Sequence, residues 1–156
     1  QTQHGSPPDT AALWDPEGKA KVTCHAFAGP TPGNEGFAHL FDRVLGDAGH
    51  RYANRVDVAP HAWAIDDAAG RLDLTTVERL YGGAIERNRA LRGLLAGIRS
   101  SVDDLAYAHP GRNVHILAGR SRPGLDLASQ MVHQHLPAYA HLMGLRGVVD
   151  PFDIVG

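Results

Sequence analysis

The residues best suited to chemistry are one acid and a small set of histidines. Asp57 lies in the stretch RYANRVDVAPHAW, Arg51 to Trp63, where a β-type run stops at a carboxylate followed by Pro60, His61 and Trp63. A carboxylate just beyond the carboxyl end of a strand stands where a parallel sheet holds its ligands and catalytic groups. The same residue ahead of a proline also suits an Asx-type turn. Much later, MVHQHLPAYAHLMG carries His133, His135 and His141. An imidazole beside a carboxylate can take and return a proton near neutral pH and so activate a hydroxyl. Pro137 fits the first turn of a helix, which places His135 in the loop entering it, able to project into a cleft; His133 is its rival. His141, inside that last helix, reads as packing or surface. The hydroxyl itself is missing. The serines are Ser6, Ser100, Ser101, Ser121 and Ser129, none stands in a G-x-S-x-G elbow, and Ser6 in HGSPP has neither a preceding strand nor a following glycine.

Other chemistries fit less well. His133 and His135 have the i, i+2 spacing of a ligand pair on a strand, yet they sit in a helical pattern, where i, i+4 is required. No carboxylate stands beside them, so no metal and no cofactor is assigned. Cys24 is the single cysteine, which excludes an internal disulfide framework and a multi-cysteine zinc site. Cys24 and His25 are neighbours in a strand and point to opposite faces, so they form no dyad; Cys24 reads as a small core residue. His50 and His109 read as solvated turn residues. The 156 residues amount to one domain, 43% apolar, with a formal charge of −2. No basic surplus suggests nucleic acid. The longest run without Asp, Glu, Lys or Arg, Leu127 to Leu145, holds three histidines, two glutamines and a proline, so it is no membrane span. The sequence opens on Gln1 rather than Met, which reads as a processed, recombinant or partial chain.

These side chains need a scaffold. Residues 1–16 have little periodicity and read as a loop or loose end; residues 17–156 hold the domain. Lys21–Ala28 is β-type and ends at the fixed loop GPTPGN. Asn34 reads as a helix N-cap, followed by apolar Phe37, Leu40, Phe41, Val44 and Leu45 at helical spacing. Arg51–Val58 is a second strand, and strand–helix–strand predicts a parallel unit. AWAIDDAAGRLDL reads as a hairpin or open loop. A capping box at Thr75 and Glu78 opens a helical region reaching Ala108, with a break predicted near Gly82-Gly83 or Gly93. Asn113–Ala118 is a third strand. Leu125–Gly144 is helical but must break or restart at Pro137; the tail, Val148–Val155, is ambiguous. The expected fold is an α/β layer with about three parallel strands, small for this length and more natural as part of a larger sheet. Asp57 before His135 also agrees with the Ser, Asp, His chain order of α/β-hydrolases.

Three segments together resemble the class 3, fungal-lipase-like triacylglycerol lipases. VTCHAFAGPTPGNEGFAHLFD resembles that family's T-F-G-x-P-x-x-G-N-x-x-F: this chain has His25, Ala26, Phe27, Ala28, Gly29, Pro30, then Gly33, Asn34 and Phe37. YANRVDVAPHAW resembles N-x-x-D-x-V-P-H through Asn54, Asp57, Pro60 and His61, with Ala59 where valine is usual. VHQHLPAYAHLMGL resembles Q-H-x-x-x-Y through Gln134, His135 and Tyr139. The resemblance runs from about Trp14 to Leu145. It implies the C-terminal half of an α/β-hydrolase fold, a mostly parallel sheet with flanking helices, in a serine esterase with Asp57 and His135 as triad members. His61 matches a family histidine outside the triad. The family's G-H-S-x-G precedes the first strand seen here and is not in this chain, so the nucleophile and one oxyanion donor are expected from an upstream segment or a companion chain, the N-terminal half of the same domain. The implied substrate is a lipid ester at an interface, and delivery outside the cell is a family expectation. The region 75–108 is longer than in compact members and could be a lid element, a partner surface or a scaffold helix. Two further readings stay open: a non-catalytic remnant of the fold serving as a binding or scaffold module, and an unrelated α/β protein that binds metal through its histidines.

Overall fold

A computed structural model describes residues 15–64 and 72–145. Three short strands, β1 (Cys24–Phe27), β2 (Gly49–Asn54) and β3 (Asn113–Leu117), form one parallel sheet in the order β1-β2-β3. The register pairs His25 with His50 and Tyr52 with His115. Helix α1 (Glu35–Leu45) crosses from β1 to β2, as the apolar spacing predicts. Asn34 caps it by accepting the Phe37 N–H at 3.1 Å.

The sheet has two unlike faces. Gly49, Arg51 and Ala53 are buried under α1. The approach is close: a Cβ on Gly49 would lie 2.6 Å from the Phe41 ring. The Arg51 guanidinium is held there by the Gly29 carbonyl at 3.0 Å. The opposite face carries a continuous set of rings. His25 stacks on His50 with centroids 4.8 Å apart, Phe27 on Tyr52 at 4.7 Å and Tyr52 on His115 at 4.6 Å. His25, Phe27 and His115 are exposed, although a parallel sheet is ordinarily covered on both sides. This open face is therefore aromatic and imidazole-rich rather than aliphatic.

The helical region after the second strand differs from its sequence reading. Helix α2 (Leu74–Arg87) begins before Thr75, because Asp73 is its cap and accepts the Thr76 N–H at 2.8 Å. Glu78 does not close a capping box; it meets Arg99 at 3.1 Å. The chain breaks at Asn88 rather than at Gly82-Gly83 or Gly93. The Asn88 side chain starts α3 (Arg89–Val102) by accepting the Leu91 N–H at 3.1 Å, and capping outweighs the small helix cost of the glycines. Val77, Tyr81, Ile85 and Leu95 form the apolar cluster between the two helices, with Val58 packed against it. Of AWAIDDAAGRLDL, read as a hairpin or open loop, residues 65–71 lie outside the described residues. The flanking Leu74 N–H donates to the Ala64 carbonyl at 2.9 Å.

The C-terminal helices are α4 (Leu127–His135) and α5 (Pro137–Leu142), with Pro137 opening the second. His135 is thus the last residue of α4, not a loop residue. Cys24 is half-buried rather than a core residue, since it lies in a short strand at the sheet edge. His50 belongs to β2, and His109 is half-buried with Nε2 3.0 Å from Thr31 Oγ1, so neither is a solvated turn residue. Residues 1–14 and the tail from 146 fall outside the described residues.

Candidate active site

Beyond Asn54 the chain turns sharply. The Asp57 N–H returns to the Asn54 carbonyl at 2.9 Å, and Asp57 Oδ1 accepts the Ala59 N–H at 3.1 Å. Asp57 therefore makes the Asx-type turn and is also more than a turn residue. It is 1% exposed, and its second oxygen, Oδ2, lies 3.0 Å from His135 Nδ1. A carboxylate only accepts, so the proton of this bond belongs on Nδ1, and Nε2 is left as the basic nitrogen. The His135 side chain is 41% exposed, so that nitrogen can be reached.

The pair is braced from beneath. Asn54 is 0% exposed. Its Nδ2 donates to the Gln134 carbonyl at 3.1 Å and to Gln134 Oε1 at 2.8 Å, and its Oδ1 accepts the Val56 N–H at 3.3 Å. The Asn54 N–H donates to the Tyr139 hydroxyl at 2.8 Å. The Tyr139 phenol is pushed well up, first by burial and then by the Asp57 charge that its hydroxyl faces. Tyr81 on α2 donates its hydroxyl to the Val56 carbonyl, and its phenol is raised by burial and by Asp57. The strand end, the turn and α4 are thus bound together by buried hydrogen bonds, the arrangement that fixes a polar site in one geometry.

His61 closes the turn from below. It is buried, with Nε2 3.4 Å from the Arg55 carbonyl and Nδ1 without a partner among the described residues. Burial lowers its pKa, so it is a neutral packing residue. His133 projects into a separate cleft with Arg120, Arg122 and His141. Of the two rivals, His135 is the one joined to Asp57.

Beside His135 is a hollow of about 300 Å³ lined by Asp57, Val58, Ala59, Met131, Val132, His135 and Leu136. Its wall is almost entirely apolar, and no serine lines it among the described residues. Ser101 donates to the Gly97 carbonyl on α3, and Ser129, in the first turn of α4, donates to Asp126, the residue that caps this helix. No group of three or more potential metal ligands occurs among the described residues, and none of the described helices is long and apolar enough to cross a membrane. Sequence reasoning named Asp57, His135 and the matching Asn54, Gln134 and Tyr139. It missed Tyr81, whose signal was a phenol on the buried stripe of a helix, needing a partner for its hydroxyl.

No family model matches the chain, and no curated protein matches it. Among solved structures, it superposes on M37 lipase with a TM-score of 0.70 and 28% identity over 86% of this chain. The chain spans 39% of that lipase's chain. The parallel three-stranded sheet, its flanking helices and this likeness together give the chain a lipase-like α/β-hydrolase fold.

Proposed function

We propose that the chain is the C-terminal part of a serine lipase or esterase of the class 3 type. It would hydrolyse carboxylic, lipid-like esters once a serine-bearing N-terminal half completes it, as an upstream segment or a companion chain. The observation that carries this reading is the 3.0 Å bond between buried Asp57 and half-exposed His135 beside an apolar hollow. This chain spans 39% of M37 lipase, which leaves length there for a further portion.

In this reading His135 Nε2 takes the serine proton as the serine oxygen adds to the ester carbonyl. The imidazolium then protonates the departing alcohol as the tetrahedral intermediate collapses to the acyl-serine. Water, deprotonated by the same nitrogen, releases the acid and restores the serine. Asp57 holds the ring in the productive tautomer and stabilises its charged form. The apolar hollow accepts the acyl chain, and no cofactor is needed.

The test is to express the chain with the serine-bearing segment and measure short-chain ester hydrolysis. Asp57→Asn is expected to lower turnover on the order of 10⁴-fold, His135→Ala comparably, and His133→Ala little. Full activity in Asp57→Asn refutes the triad assignment. Turnover by the 156-residue chain alone refutes the location of the nucleophile. A parent reading frame without G-x-S-x-G turns the fold into a non-catalytic binding module.

A further inference from the structure

On the far side of α4 from Asp57 lies a cleft of about 510 Å³. Its charged and polar rim is Arg120, Arg122, His133 and His141, over a floor that includes Ala138 and Leu142, and no carboxylate lines it among the described residues. We propose that this cleft binds a phosphate-type anion, either a free phosphate or the phosphate of a lipid headgroup.

The backbone of the rim is built, not loose. The Arg120 carbonyl accepts Gln134 Nε2 at 2.9 Å, and the Arg122 N–H donates to Gln130 Oε1 at 3.1 Å. Both glutamines are buried residues of α4, the helix that carries His133. Next to them, Arg55 Nε donates to the Gly119 carbonyl at 2.9 Å. Four side chains able to carry positive charge are therefore gathered on a backbone pinned at three points. Like charges so gathered repel one another. The His133 pKa is depressed by partial burial, then by Arg122 and His141. An anion between these groups relieves that repulsion, and guanidinium groups recognise phosphate oxygens through paired, charge-assisted bonds. The apolar floor beside the charged rim leaves room for the carbon portion of an esterified phosphate.

The site uses neither Asp57 nor His135, so its test is independent of the esterase reading. Inorganic phosphate is titrated into the protein at constant ionic strength while the histidine rings are followed by NMR. Saturable shifts of His133 and His141 are expected, with the His133 midpoint moving to higher pH. Arg122→Glu, checked for folding by circular dichroism, should weaken the binding at least about tenfold, the effect of losing a charge-assisted contact. Asp57→Asn should leave it unchanged. In parallel, flotation with phosphatidylglycerol and with phosphatidylcholine vesicles separates the sources. Binding to the anionic vesicles alone, lost in Arg122→Glu, assigns a lipid headgroup; saturable phosphate binding without vesicle capture assigns a free anion. Ring shifts no larger than chloride produces, together with vesicle binding indifferent to Arg122→Glu, overturn the proposal.

Discussion

Asn54→Ala isolates what the buried network contributes. The substitution removes two donations to Gln134, at 3.1 and 2.8 Å, and the acceptance of the Val56 N–H at 3.3 Å. Gln134 is itself buried at 1% exposure, so water cannot readily replace the lost donor. Leaving Oε1 unpaired costs about 1–3 kcal/mol, and the two other bonds contribute about 0.5–1.5 kcal/mol each. The expected loss is about 4 kcal/mol, a large part of a stability that is typically about 5–15 kcal/mol. Asn113 provides a control of the same residue type. Its Nδ2 also makes two donations, to the Asp47 and Gly49 carbonyls at 3.0 and 3.3 Å, but the residue is half-exposed. Asn113→Ala should cost less than about 1 kcal/mol, because water takes over. Urea unfolding followed by circular dichroism measures both, with equal m values required for the comparison. The His135 Nδ1–H resonance should weaken in Asn54→Ala as α4 loosens from the Asp57 turn. Equal losses in the two variants, or less than about 1 kcal/mol for Asn54→Ala, would refute the view that burial makes this network matter.

Other outcomes follow from single positions. Gly119→Ala would place a Cβ 2.0 Å from Asn54 Oδ1; since Asn54 cannot move without breaking its bonds, a loss of about 1–3 kcal/mol is expected, and unchanged thermal stability refutes it. Ala28 has φ +56, in the region where a side chain is strained, so Ala28→Gly should stabilise the fold by up to about 1 kcal/mol, and an unchanged or lower unfolding midpoint refutes it. Burial depresses the His61 pKa below its ordinary value, so the unfolded chain binds more protons than the folded one. The His61 contribution is therefore complete above about pH 6.5 and fades as the pH falls through the folded pKa; His61→Gln should flatten the acid side of a melting-temperature profile, and an unaltered slope counts against this role.

The sheet and its parallel order were legible because β1, α1 and β2 each show one clear periodicity. The N-cap at Asn34 was legible for the same local reason. The break at Asn88 was not, since glycine is the louder sequence signal, whereas the asparagine acts through a side-chain bond to Leu91 that depends on the backbone's own turn. Asp73 eclipsed Thr75 in the same way. At the candidate site, motif spacing brought Asp57 and His135 forward, but His133 remained a rival two residues away in the same helical pattern. Only the placement of α4 separates them, sending His135 to Asp57 and His133 to the arginine cleft. The glycine of the F-G-x-P pattern falls at Ala28. Its positive φ supplies the reason for that pattern, and nothing in the alanine itself announces it.

The hydrogen bond between the Leu74 N–H and the Ala64 carbonyl has a consequence for how the protein can be altered. It holds Ala64 and Leu74 against one another, so the backbone leaves and returns at one place. The entropy of closing a flexible chain grows only logarithmically with length, about 0.6 kcal/mol for each doubling. Residues added between Ala64 and Leu74 therefore cost little as long as this bond holds the two positions together. The junction is therefore a natural place for a sequence insertion, whether by evolution or by an engineered epitope, while the Asp57 turn on one side and α2 on the other keep their positions.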